Sequence, residues 1–333
     1  MEAILAVTVP FFALVLLGYL AAQRQWLPES AIPGLNAYVL FFALPCLLFR
    51  FGSSLPFGKL IDPVLIAIYA TCALLMVAIT IAVTLRRQDQ DSGVDLRDAS
   101  FGALVAAFPN AGFMGVPLLV ALLGEAAAGP VIGAILVDLI LTSTLCLALA
   151  QSSAHRADGD DRRSAIAAAL LSLRGALTNP LPWAIVIGAT FSALDRELPG
   201  PLAQIVRMLG DSATPVALFT IGAVLWRAGR HAHTRTPVAN FLPVALLKLV
   251  VHPALVVALG AGALALGAPV SRFGLVVLTL VAALPSASNV SVLAERYGAD
   301  NGRVTRIIMA STVLAFLSFS VLAWAFGVEG DRR

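Results

Sequence analysis

Residues 106–124 read AAFPNAGFMGVPLLVALLG. The run is apolar enough to cross a bilayer, yet Pro109, Gly112, Gly115 and Pro117 stand where a helix should be most regular. Pro109 has no N–H to donate and its ring collides with the carbonyl four residues back, so at least one backbone carbonyl loses its partner. In hydrocarbon such an orphan costs several kcal/mol, and broken backbone at membrane depth persists only inside protein or beside a wet cavity. The stretch therefore predicts a broken helix and a polar site, to which Asn110 can offer two donors and an acceptor.

The whole chain fits that reading. It has 333 residues, of which 59% are hydrophobic and 12% charged, with a mean hydropathy of +0.91. A soluble domain carries roughly twice that share of charge, so this is an integral membrane protein. The net charge of +3 is spread over short loops rather than gathered in a patch, which argues against a nucleic-acid partner. Cys46, Cys72 and Cys146 lie in apolar runs without metal-ligand or redox spacing, and read as packing residues. No metal or cofactor is expected. The first apolar run reaches about 20 residues with no basic segment before it, too long for a signal-peptide core, so it reads as a transmembrane helix.

Apolar runs of membrane-spanning length fall near 3–22, 33–51, 63–85, 98–123, 129–150, 179–195, 202–226, 238–265, 271–294 and 304–327, ten in all, the sixth being the shortest. The loops after odd-numbered spans hold about twice the Lys and Arg of the opposite face, which predicts that they are cytoplasmic and that both termini lie outside. Residues 152–178, which include QSSAHRADGDDRRS in part, form a cytoplasmic linker, and Ala165 to Leu177 could lie along the membrane surface. The linker separates a first five-span half (1–151) from a second (179–333). An odd number of spans per half inverts one half relative to the other, the arrangement of inverted-repeat transporters.

Internal matches support the division. AAFPN at 106–110 has a counterpart in AALPS at 282–286, each followed by a glycine near an acidic residue, Gly124-Glu125 and Gly298 with Asp300. ALPCLLF around Pro45 resembles ATPVALF around Pro215, with Phe49 and Phe219 four residues on. Pro109 and Pro285 would both lie near the midplane. Two half-helix N-termini would then face a common point, a ready site for a carboxylate, with Asn110, Ser286, Ser288, Asn289 and Ser291 to line it.

Charges inside the spans add candidates. Lys248 lies near the centre of the eighth span, where a lysine costs roughly 2.5–3.5 kcal/mol, and so needs a partner or a task such as binding an anion. His252 shares its helical face at i+4 and either carries a proton or serves the structure. Asp138, deep in the fifth span, can pair with Lys248, bind a cation or relay a proton. Asp211, early in the seventh span, reads as a wetted helix end.

PFFALVLLGYLAAQ, NAYVLFFALPCLLF, FPNAGFMGVPLL, TPVALFTIGAVL, LLKLVVHPAL and LPSASNVSVLAERYGAD, taken in order, resemble the auxin efflux carrier family, whose bacterial members include proposed malonate and malate permeases. The resemblance implies an all-α membrane protein of ten helices in two inverted five-helix repeats, with broken crossover helices 4 and 9. It further implies a scaffold of spans 1, 2, 6 and 7, a moving transport domain of spans 3–5 and 8–10, and a homodimer. The plant PIN-formed exporters of this family have Asn-Pro-Asn at such a crossover and a long cytoplasmic loop; this chain has neither, which favours a small carboxylate in a bacterial cytoplasmic membrane over auxin. The site expected from all these signs comprises Pro109, Asn110, Pro285, Ser286, Asn289 and Lys248 for the substrate, and Asp138 and His252 for proton or sodium coupling. No HExxH, aspartate-rich or nucleophile-elbow motif suggests an enzyme. A sodium-coupled symporter resembling the bile-acid carriers, or a ligand-sensing receptor, are the alternatives.

Overall fold

The computed structural model describes residues 2–55, 61–86, 94–155, 170, 174–175, 178–230 and 236–328. Most of the expected linker and of the 165–177 surface segment lies outside the described residues. Everything regular among those described is helical: α1 (Glu2–Gln23), α2 (Glu29–Ser54), α3 (Pro63–Arg86), α4 (Leu96–Ala107), α5 (Ala111–Leu123), α6 (Glu125–Ser152), α7 (Pro180–Ala193), α8 (Gly200–Arg230), α9 (Val238–Ala265), α10 (Arg272–Ala283), α11 (Val290–Arg296) and α12 (Asn301–Ala325). Seven of these, α1, α2, α3, α6, α8, α9 and α12, are long and apolar enough to cross a membrane. At 1.5 Å per residue, a helix of α1's length spans roughly 33 Å, the thickness of a bilayer core. The fourth and ninth expected spans are each interrupted, as α4–α5 and α10–α11, and the sixth is the 14-residue α7.

Helix ends follow from local chemistry. Asp62, Asp95, Asn179, Ser271 and Asp300 each accept a backbone N–H in the first turn of α3, α4, α7, α10 and α12, satisfying donors that have no intrahelical partner. Gly124 and Gly298 close α5 and α11 with φ of 83° and 67°, a region costly for any side chain.

Wide π turns interrupt four helices, at Val39–Ala43, Ala111–Gly115, Asp138–Thr142 and Leu247–Val251. Three share one cause. Pro45, Pro117 and Pro253 each follow by two residues, and the residue just before each proline reaches back five: Leu44 to Val39, Val116 to Ala111 and His252 to Leu247. Widening the turn gives room for a ring that would otherwise strike the carbonyl four residues back. The fourth turn has no proline. There the Ser143 hydroxyl donates to the Asp138 carbonyl at 2.8 Å.

Two crossings are made close by glycine. α1 runs against α8 so tightly that a Cβ on Gly18 would lie 1.8 Å from the Phe219 carbonyl oxygen, and one on Gly222 1.9 Å from that of Val15. α2 meets α7 likewise: a Cβ on Gly188 would lie 2.5 Å from the Phe49 oxygen, and one on Gly52 3.0 Å from that of Ile185. Close approach of this kind is how helices associate where lipid removes the hydrophobic drive. Because the obstacles are backbone atoms, Gly222→Ala should destabilise the protein by about 1–3 kcal/mol or more, the cost of overpacking. Gly34→Ala, whose Cβ would meet nothing within 4 Å, is the control. Equal unfolding midpoints for the two variants would contradict the packing described.

Candidate functional site

The two interruptions lie back to back. Phe108 and Leu284, which precede the prolines, are extended, with ψ of 91° and 157°, as a following proline ring requires. Asn110 N–H donates to the Pro285 carbonyl at 2.8 Å, and Ala287 N–H to that of Phe108 at 3.0 Å. The result is an antiparallel bridge centred on Pro109 and Ser286. Each break thus satisfies part of the other's backbone, inside protein, where broken helices are tolerated. Ser286 N–H donates to the Ser311 hydroxyl of α12 at 3.2 Å, while the buried Ser286 Oγ has no partner.

On the N-terminal side of the breaks, α5 begins beside open space, since a Cβ on Gly112 would meet nothing within 4 Å. Its partner α11 is only seven residues long. The dipole charge at the crossing therefore comes chiefly from α5, less than the two equal half-helix ends expected from the sequence.

On the C-terminal side stands Lys248. It is 0% exposed, and its Nζ donates to the Ala282 carbonyl at 2.6 Å. That carbonyl belongs to the last turn of α10, where Ser286 N–H would have bonded had the helix continued. Lys248 thus fills a vacancy made by Pro285, and a cation at a helix C-terminus is also favoured by the dipole. Its Nζ lies 3.2 Å from His252 Nδ1, which must be the acceptor if the ammonium donates, leaving the proton on Nε2. This Nε2 is buried without a partner.

Asp138 is likewise 0% exposed. Its carboxylate accepts from the Tyr69 hydroxyl of α3 at 3.0 Å and from Thr142 at 3.1 Å. It feels the charge of Lys248, but the two make no direct ion pair. The Tyr69 and His252 rings, 5.8 Å apart, join the two halves of this buried polar cluster. Asp211 instead makes a 2.6 Å ion pair with Arg50, both partly exposed, in keeping with a wetted helix end.

A cavity of about 770 Å³ lies between α2 and α8 on one side and the α10–α11 connection, α11 and α12 on the other. Asn36, Ser288, Asn289, Ser291 and Asn301 supply its uncharged polar wall, and Glu29, Arg227 and Glu295 its charged one. Of the expected site, then, Pro109, Asn110, Pro285 and Ser286 come together at the bridge, Asn289 lines the cavity, and Lys248, His252 and Asp138 form a cluster behind it.

Three contributors lie outside the expected site. Tyr69 is a single tyrosine in an apolar span; Thr142 could have been found from its i+4 spacing to Asp138. Arg303 reads as a loop charge. It is in fact buried, donating to the Asn240 and Asp98 carbonyls at 2.9 Å each and to Thr84 at 3.4 Å, and so ties α12 to α9, α4 and α3.

Seven membrane-length helices, with two interrupted ones joined at the Pro109–Ser286 bridge, define a multi-pass membrane protein of the kind that houses transport sites. The family model described as membrane transport protein matches residues 3–323, and the chain belongs to that family, the auxin efflux carriers. It is 30% identical over 326 residues to a provisionally named malonate transporter of Rhizobium meliloti, covering 97% of this chain and 96% of that protein. It is 28% identical to an uncharacterized transporter of Methanothermobacter thermautotrophicus, with 95% of each covered. Against auxin efflux carrier component 8 of Arabidopsis thaliana the identity is 23%, over 77% of this chain and 80% of that one.

Proposed function

We propose that the protein is a secondary transporter of small organic anions, malonate- or malate-like carboxylates, working by alternating access in a bacterial cytoplasmic membrane. The observation that carries the reading is the Pro109–Ser286 bridge beside a cavity walled by Ser288, Asn289 and Ser291. Paired interrupted helices of this kind give a transporter polar backbone near the midplane without exposing it to lipid. The malonate named for the Rhizobium relative directs the choice of substrate class.

In this reading the chain crosses the membrane ten times, as two inverted five-helix repeats, 1–151 and 179–333, joined by the linker 152–178. The glycine crossings favour that symmetry: Gly18 meets Phe219 where Gly188 meets Phe49, and Val15 meets Gly222 where Ile185 meets Gly52. Each residue of one contact stands the same number of positions from its counterpart in the other. α1, α2, α7 and α8 form the scaffold, and α3–α6 with α9–α12 form the moving domain. The 770 Å³ cavity between the two groups is the substrate vestibule. Asn110, Ser286 and Asn289 hold the carboxylate at the end of α5, and Lys248 offsets its charge from behind α10.

The test is a thermal-unfolding screen of purified protein against carboxylates, with and without sodium. A ligand of the folded state at a hundred times its Kd adds about 2.7 kcal/mol of stability, so malonate should raise the midpoint in the wild type and less so in Asn289→Ala. No shift with any mono- or dicarboxylate would contradict the substrate assignment. Orientation is tested separately. In a cysteine-free background, an impermeant thiol reagent on intact cells should label Ala126→Cys and spare Glu295→Cys; the reverse pattern would invert the topology drawn from the loop charges.

A further inference from the structure

A second cavity, of about 320 Å³, opens at the other face of the molecule. Its mouth is formed where α3, α6 and α10 begin, by Asp62, Ala126, Ser271 and Phe273. The vestibule lies instead toward the face where α12 starts and α8 ends. The wall of the smaller cavity also includes the buried Leu65, Ala134 and Leu278 and the fully buried Tyr69. Tyr69 is the residue whose hydroxyl donates to Asp138.

We propose that this cavity is a proton port, through which Asp138 exchanges a proton with the aqueous phase opposite the vestibule, and that protonation of Asp138 is linked to anion binding. The proposal rests on the transporter reading above. The step balances simply: hydronium in the cavity gives a proton to Tyr69 Oη as Tyr69 passes its own hydroxyl proton to Asp138 Oδ2. The phenol ends neutral, the carboxylate becomes an acid, and the cluster gains one positive charge. That charge favours a bound anion, and by reciprocity a bound anion favours the proton.

The groups facing Asp138 permit this. Tyr69 of α3, Cys146 of α6 and Lys248 of α9 lie about Asp138, with Cys72 beside Tyr69 and His252 beside Lys248 and the Tyr69 ring. α4 and α10 carry their titratable residues only in their first turns, as Arg97, Asp98 and Arg272. Lys248 is already engaged by Ala282 and His252, so the Asp138 carboxylate is held by two hydroxyls and no contacting cation.

Two measurements test the proposal, and the first needs no substrate. In a cysteine-free background, Ile66→Cys, at a part-exposed position on the cavity wall, should react with a water-soluble, impermeant thiol reagent from the face where α3, α6 and α10 begin. Failure to react from that face overturns the port. In the second, malonate is added to purified protein in weak buffer with a pH-indicating dye, after correction for malonate's own titration. The wild type should take up about one proton per malonate bound, unchanged when sodium replaces choline, and Asp138→Asn should take up none while still binding malonate. Malonate binding without proton uptake, or uptake that persists in Asp138→Asn, overturns the linkage. Should Asp138→Asn fail to fold, Tyr69→Phe serves in its place: it should slow proton uptake without changing its extent, and an unchanged rate contradicts the relay. Absence of malonate binding in the wild type overturns the linkage as stated and also the substrate assignment, whereas the labelling result stands apart from both.

Discussion

Replacing Lys248 with methionine should cut dicarboxylate transport at least ~tenfold, the equivalent of about 1.4 kcal/mol, and lower the stability of the protein by ~3–5 kcal/mol, the scale set by leaving one buried charge uncompensated. Two losses combine. The Ala282 carbonyl at the end of α10 loses the Lys248 donor, and the buried Asp138 carboxylate loses the positive charge that balances it. The double variant Lys248→Met/Asp138→Asn, which removes both charges, should therefore recover part of the stability but not the transport. Residual activity should fall more for a dicarboxylate than for a monocarboxylate, because the lost attraction scales with ligand charge. Equal losses for the two substrates would make Lys248 a helix cap and nothing more; undiminished stability would contradict the buried cluster itself.

The second large effect is expected at Pro285. With alanine there, α10 can continue, and Ser286 N–H would reclaim the Ala282 carbonyl, displacing Lys248 and dissolving the bridge to Pro109. Transport should drop on the order of 10²-fold, as a misplacement of about 1 Å at a working site can cost, while the protein still reaches the membrane. Since Pro285 and Lys248 act on the same carbonyl, Pro285→Ala and Lys248→Met should be strongly non-additive. Additive losses would separate the lysine from the break. Pro109→Ala, which has no such lysine behind it, should reduce transport without that coupling.

Both predictions show where the sequence was readable. Prolines at 109 and 285 announce broken helices because no other residue lacks the N–H, and Lys248 announces a partner because a charge at membrane depth must have one. That partner was not readable. It is a backbone carbonyl, freed by a proline 37 positions further along the chain, and carbonyls look alike in every sequence. Asp138 was visible for the same reason as Lys248, and Thr142 stands at an i+4 spacing to it, but Tyr69 carries no such mark, since tyrosine is at home in apolar spans. The glycine crossings were hidden differently. Glycine is common in membrane helices, and only the backbone geometry shows that Gly18 and Gly222 touch the facing helix while Gly34 touches nothing. Arg303, one residue before a span, carries no mark of its burial, because chain position does not reveal that three other helices close over it.

The central claim, that the paired breaks serve transport of a small carboxylate, is tested most directly by counterflow. Purified protein in liposomes loaded with unlabelled malonate is diluted into labelled malonate without any ion gradient. The account predicts transient accumulation of label in the wild type, strongly reduced in Pro285→Ala. A wild type that accumulates no label above protein-free liposomes, or a Pro285→Ala variant that matches the wild type, would contradict it.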